Sequence, residues 1–238
     1  MNRYRTLLAA AVMIAMGLSS LPGQQGRRPQ FSSDAAAERI PNLGELKTEL
    51  KAYHDCTCRC GCYAHDLDAQ ADRAIAFLRQ REAHRGAHEK LALILDIDDT
   101  TLSTYGEMLG ADFAYNEATF DAWLERADAP AIPGTLRLYK EAQRLGVSII
   151  FLTGRHESQR GATERNLQAQ GFEGWKLLVM RPDHSSQSIG GFKAVARGQI
   201  VGAGYTLALN VGDQWSDLKG KPEAEYSVKY PDPYYFIP

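Results

Sequence analysis

The sequence predicts a doubly wound α/β domain, a parallel sheet with helices packed on both faces. Three observations carry that expectation. Apolar runs that are continuous rather than alternating recur from residue 91 onward, at Leu91 to Leu95, Val147 to Leu152, Leu177 to Met180 and Tyr205 to Leu209; strands buried on both faces read this way. Helical stretches lie between them and stop at glycine: Thr135 to Arg144 before Gly146, Glu157 to Gln170 before Gly171, and Phe192 to Ile200 near Gly202. Glycine just past a helix end is a stop signal, and strand–helix alternation builds a parallel sheet. The chain of 238 residues, 44% hydrophobic, suits one domain with a full core.

The N-terminus differs from the rest. Arg3 and Arg5 precede an apolar and small-residue run from Leu7 to Leu18, followed by Ser19, Ser20 and Pro22-Gly23. This is the order of a secretory signal, and the run is shorter than the roughly 20 residues a bilayer span needs. An uncleaved anchor or a buried helix are the alternatives. The expected organisation is a signal peptide at 1–20, a polar flexible leader at 21–42 and the folded domain at 43–238. The expected location is outside the cytoplasm, periplasmic or secreted, with no stable membrane span. Losing Arg3 and Arg5 takes the formal charge from −2 to −4. Without a basic field, a nucleic acid polymer is not an expected partner.

Leu43 to Tyr53 reads as a helix, and Asp66 to Arg81 as a stronger one, with Leu67, Ala71, Ala74, Ile75 and Leu78 on one face. Between them lie all four cysteines: Cys56, Cys58, Cys60 and Cys62. An exported chain meets an oxidising compartment, so disulfides or a tolerated surface insertion over 56–62 lead. In a helix, Cys56/Cys60 and Cys58/Cys62 would stand one turn apart. A soft-metal site with His54 and His65 is the alternative, although the spacing is not that of a zinc ribbon.

Residues 103–131 break the alternation. They hold Tyr105, Phe113, Tyr115, Phe120 and Trp123, with a short helix around Glu117 to Arg126. They read as a small cap inserted after the first strand. Phe120 and Trp123 are expected as the cap's own core, and Tyr105 as the ring available to stack on a substrate. The Pro-broken tail from Tyr230 to Phe236 is expected to be extended and packed on the domain.

Ligands of open α/β sheets bind beyond the carboxyl ends of the strands. Asp96-Ile97-Asp98-Asp99-Thr100 follows the first strand, Thr153-Gly154-Arg155 the second and Asn210-Val211-Gly212-Asp213 the fourth. Asp96 and Asp98, two apart at a strand end, can face one ligand. With Asp213 they form a hard, oxygen-rich site suited to Mg²⁺, which clamps a phosphoryl oxygen. One carboxylate remains to attack phosphorus and another to move protons. Asp99 is expected to be structural, His156 a surface histidine, and Arg155 and Arg181 solvated ion pairs.

These residues resemble the motifs of the haloacid dehalogenase (HAD) superfamily. Asp96-x-Asp98-x-Thr100 is similar to its first motif, Leu152-Thr153-Gly154 to its second and Asp213-x₃-Asp217 to its fourth. Lys193 fits the third, and Lys176 stands at the wrong end of a strand. Asn210 to Leu218 and Ala131-Ile132-Pro133-Gly134 resemble the acid phosphatase subfamily IIIB, which groups plant vegetative-storage-protein-like and bacterial class B and C acid phosphatases. The resemblance implies a Rossmann-like, HAD-like sheet with a small cap after the first motif strand. It also implies roles: Asp96 as nucleophile, Asp98 as general acid/base, Thr153 on the phosphoryl group and Lys193 as charge balance. Asp96, the backbone carbonyl of Asp98 and Asp213 would surround Mg²⁺, with Asp217 supporting them. An Asp at position 98 separates this chain from dehalogenases, which lack it, and from P-type ATPases, which carry Thr. The expected activity is that of a phosphoric monoester hydrolase acting on small phosphomonoesters, nucleoside monophosphates among them. A catalytically weak metal-binding or storage protein on the same scaffold, or a phosphotransferase, are the alternatives.

Overall fold

The computed structural model describes residues 41–58 and 62–237. The expected signal, nearly all of the leader and Cys60 therefore lie outside the described residues. Among the described residues, five strands form one parallel sheet: β1 (Lys90–Leu95), β2 (Ser148–His156), β3 (Leu177–Arg181), β4 (Tyr205–Gly212) and β5 (Tyr226–Lys229). Their order is β3-β2-β1-β4-β5, so the two halves wind outward in opposite directions from β1. The helices are α1 (Leu43–Asp55), α2 (Tyr63–Glu82), α3 (Tyr105–Gly110), α4 (Glu117–Arg126), α5 (Pro133–Arg144), α6 (Arg160–Ala169), α7 (Ile189–Gly202) and α8 (Trp215–Leu218).

β1 shows why the apolar runs are continuous. Leu91, Leu93 and Leu95 point into a core shared with α2, α5 and α6. Ala92 and Ile94 point the other way, onto Phe192, Ala196 and Ile200 of α7. All five are buried, and each large aliphatic side chain contributes about 1.5–3 kcal/mol on leaving water. The α2 stripe packs on α5 so closely that a Cβ on Gly134 would lie 2.8 Å from that of Ala71.

Several elements depart from the expected boundaries. β2 and β4 run past their apolar stretches, carrying Thr153, Gly154 and Arg155 and then Asn210 and Gly212 as strand residues. Ladder pairing with β1 and its neighbours extends strands beyond the point where the side chains turn polar. β5 has one fully buried apolar residue, Val228, too little for a run to be visible. α6 starts at Arg160 after a single 3₁₀ turn, and α7 starts at Ile189, where the Ser188 hydroxyl accepts from the Gly191 N–H at 3.2 Å. Residues between β1 and α5 hold α3 and α4. Their base is closed where Ser103 N–H donates to Pro130 and Ile132 N–H to Thr101.

The one-turn cysteine pairs do not form, because Cys56 and Cys62 bond to each other, with Cα atoms 5.5 Å apart. Cys58 is also disulfide-bonded, and no described cysteine is free. Among the described residues no helix is long and apolar enough to cross a membrane.

Candidate active site

The carboxyl ends of β1, β2 and β4 open onto a cavity of about 450 Å³. Asp96 follows β1 directly, and its N–H continues the ladder by donating to Val211 of β4 at 3.1 Å. The next turn is tight. Asp99 adopts a left-handed φ of 52°, and its carboxylate accepts from the N–H of Thr104 at 2.9 Å and from the Thr104 hydroxyl. Asp99 thus ties the loop together from a fully buried position, as expected of a structural residue. The Thr101 hydroxyl donates to the Asp96 carbonyl at 2.6 Å, and that of Thr100 to Asp213 Oδ1 at 2.8 Å.

Lys193, the fifth residue of α7, sends its ammonium between two carboxylates. Its Nζ donates to Asp96 Oδ1 and, at 2.6 Å, to Asp217 Oδ1. All three groups are buried. Burial pulls the Lys193 ammonium down, but Asp217 and Asp96 outweigh it and the net shift is upward. Burial pushes the Asp96 carboxyl up to about 7, with Lys193 pulling it back and Asp217 and Asp98 adding to the rise. Asp213 is driven well above the usual carboxylate range by burial and then by Asp217 and Asp96. The sharp return from β4 into α8 requires glycine, because a Cβ on Gly212 would fall 2.4 Å from the Asp217 side chain.

The structure thus brings Asp96, Asp98, Lys193, Asp213 and Asp217 to one cavity. Asp96, Asp213 and Asp217 each offer an oxygen within 4.8 Å of the others, a donor set that could hold a cation. Buried carboxylates repel and rise together unless positive charge sits among them, so these residues fit a hard divalent ion. The side chain of Asp98 is not in that cluster. Arg155 grips it, with Nε 3.1 and 3.2 Å from its two oxygens and Nη2 2.6 Å from Oδ1.

Arg155 is therefore not the solvated ion pair expected of it. It is buried and also donates to Thr163 Oγ1 at 3.1 Å, because the extension of β2 carries it under the site. Arg181 is not an ion pair either; it lines the cavity and donates to the carbonyls of Ser185 and Gln187. His156 lines the cavity instead of the open surface. Thr153 is fully buried beside the cavity without lining it, and its hydroxyl accepts from the Arg155 N–H at 3.1 Å. Tyr105 is not available for stacking. It is buried against His54, with ring centroids 3.3 Å apart, and its hydroxyl donates to Asp55. Trp123 is core as expected, whereas Phe120 faces the cavity with Tyr115.

Sequence reasoning missed three contributors. Arg197, one turn after Lys193, is fully buried and donates to the Asp217 carbonyl at 2.7 Å. Its i+4 spacing from Lys193 was the available signal. Gln214 bridges Asp213 to Asp232, and Tyr235 reaches Asp213 from the C-terminal tail. The tail packs on the domain as its sequence predicts, but nothing local announces that it reaches Asp213.

The sequence model of the HAD superfamily, subfamily IIIB (acid phosphatase), matches residues 27–238. Acid phosphatase 1 of Solanum lycopersicum is 33% identical over 179 residues, covering 74% of this chain and 69% of that protein. A stem 31 kDa glycoprotein of Glycine max is 35% identical over 180 residues, with the same coverage. Vegetative storage protein 1 of Arabidopsis thaliana is 34% identical over 154 residues, covering 61% of this chain and 55% of that protein. Among solved structures, the class C acid phosphatase from Bacillus anthracis superposes with a TM-score of 0.63 at 19% identity. The match covers 82% of this chain and 86% of that one, and shows a common fold. The chain belongs to subfamily IIIB of the HAD superfamily and is an acid phosphatase, a phosphoric monoester hydrolase.

Proposed function

We propose that the chain is an exported, Mg²⁺-dependent phosphomonoesterase that works through a phospho-aspartate at Asp96. The observation that carries this reading is the Lys193 ammonium shared by Asp96 and Asp217 beside Asp213, at the floor of one cavity. Asp96, the Asp98 carbonyl and Asp213 would hold the metal, with Asp217 supporting it. When bound, the ion supplies charge neutralisation at the phosphoryl oxygens. The Asp96 carboxylate attacks phosphorus while the bond to the leaving alkoxide breaks, and Asp98 gives that oxygen its proton. Asp98 then takes a proton from water as the water attacks the phospho-aspartate, releasing phosphate and restoring Asp96. Arg155 fixes the orientation of Asp98 for both transfers. Lys193 balances the charge of the phosphoryl group; Thr153, which the resemblance assigns to that group, is buried beside the cavity and would reach it only from behind the lining.

The substrate reading rests on the cavity walls. Tyr115 and Phe120, with ring centroids 5.7 Å apart, form one wall, and Phe236 lines the cavity from the tail. Aromatic walls favour a flat, aromatic leaving group, and a nucleoside monophosphate carries one. A nucleoside monophosphate should then exceed glycerol phosphate in kcat/KM, and Phe120→Ala should shrink the ratio about tenfold. Equal ratios in the two proteins would remove the aromatic wall from specificity.

The nucleophile is tested by p-nitrophenyl phosphate hydrolysis with Mg²⁺, and with EDTA. Asp96→Asn should lower kcat about 10⁴-fold or more. Comparable rates in wild type and variant would sink the assignment. No hydrolysis by the wild type would favour a second reading instead, a storage protein on the same scaffold, which the similarity to a vegetative storage protein supports. Export rests on the N-terminal order of charge, apolar run and small residues.

A further inference from the structure

The tail beyond β5 returns to the site and makes polar contacts that the proposed chemistry does not use. Its root is tied where the Tyr230 N–H donates to the Gly212 carbonyl at the end of β4, 2.9 Å away. Its middle is wedged by Tyr234, buried with ring centroids 5.3 Å from Tyr63 and 5.4 Å from Tyr105. Beyond that wedge, the Tyr235 hydroxyl donates to Asp213 Oδ2 at 3.3 Å. The Gln214 amide nitrogen donates to the same oxygen at 2.9 Å and to Asp232 Oδ2, and lies 3.4 Å from the Tyr235 carbonyl. Its amide oxygen accepts the Ile237 N–H at 3.1 Å.

This pattern leaves the Gln214 amide one orientation. Its nitrogen must face the two carboxylates, because only that end donates, and its oxygen must face Ile237. Asp213 itself is buried, with Oδ1 held by Thr100 and Oδ2 by Gln214 and Tyr235. Two of those three donors thus come from the tail or depend on it. A buried carboxylate loses its direction when its donors go, and donors behind a metal ligand set how well it binds.

We propose that the C-terminal tail is a positioning element of the active site, in which Tyr235 and the tail-oriented Gln214 hold the Asp213 carboxylate where it meets a divalent cation. This inference rests on the metal reading above. Mn²⁺ binding to the purified protein, followed by electron paramagnetic resonance together with metal-free Tm, tests both separately. Tyr235→Phe removes one hydroxyl and keeps the ring. It should weaken Mn²⁺ binding about tenfold with the metal-free Tm unchanged. A chain ending at Tyr234 should weaken it about 100-fold. Phe236→Ala, which deletes a wall residue without a polar contact to Asp213, should leave Mn²⁺ affinity at the wild-type value. Unchanged affinity in Tyr235→Phe and in the shortened chain overturns the inference and leaves the metal reading intact. A wild-type protein that takes up no Mn²⁺ overturns both. Should the shortened chain not fold, Tyr235→Phe decides alone.

Discussion

Asp213 stands between two groups of buried or half-buried carboxylates that are satisfied in different ways. On one side, Asp96 and Asp217 share the Lys193 ammonium. On the other, Asp99 and Asp232 are met by neutral donors: the Thr104 N–H and hydroxyl, the Gln214 amide and the Tyr234 N–H. Burial followed by repulsion from Asp232 pushes Asp99 up to about 8, and burial pushes Asp232 up to about 6. Even beside a lysine, Asp96 rises to about 7, because burial outweighs the single cation. The lesson is that one lysine does not balance the site. The group remains short of positive charge around Asp213, where a divalent ion would relieve both sides.

Removing the cation on the first side should have the largest effect. Lys193→Met leaves Asp96 and Asp217 buried without their partner, and should cost about 3–5 kcal/mol in urea unfolding at pH 8. Activity should fall with it, because the nucleophile loses its charge balance. A loss under 1 kcal/mol would mean that the two sides are satisfied alike.

The second side should show itself through pH. Asp99 and Asp96 have folded pKa values of about 8 and about 7 against a reference of 3.8. The folded state therefore binds more protons than the unfolded one between those limits, and its stability falls as pH rises from about 4 to 8. Glu89 and Glu141, held near 2 by hydrogen bonds from Arg81 and Arg144, act in the opposite direction as pH falls below 4.5. Metal-free protein should accordingly have its highest Tm at mildly acid pH, and Mg²⁺ should raise Tm more at pH 8 than at pH 5. Asp99→Asn sharpens the point at the smallest scale. Asparagine keeps both Thr104 contacts and tolerates the left-handed φ, while removing the charge. It should stabilise the metal-free protein by about 1 kcal/mol more at pH 8 than at pH 5. Destabilisation at pH 8 would show that Asp99 is not a charge liability.

Much of this was readable from residues. Continuous apolar runs located β1 to β4 because both sheet faces are covered, and the α2 stripe appeared because one face packs on α5. Asp96, Asp98, Lys193, Asp213 and Asp217 were expected together and line one cavity. β5 escaped because a short edge strand buries too little to mark itself. Arg155 was misjudged because the strand it rides on is extended by its neighbours rather than by its own composition. Disulfides were expected of the cysteine cluster and are present, but which cysteines pair was left to the three-dimensional structure, where Cys56 meets Cys62.

The alternation of apolar runs with glycine-stopped helices, and the carboxylates placed after the strands, are local patterns. Periodicity and strand-end position suffice to place them. Which face each carboxylate presents, what lies opposite it and how it is neutralised depend on segments far apart in the chain. Lys193 is 97 residues from Asp96, and Tyr235 is 22 from Asp213, brought back by a tail that packs on Tyr63 and Tyr105. Such contacts come from packing and from the demand of buried polar groups for partners, and neither leaves a pattern within a short stretch of sequence.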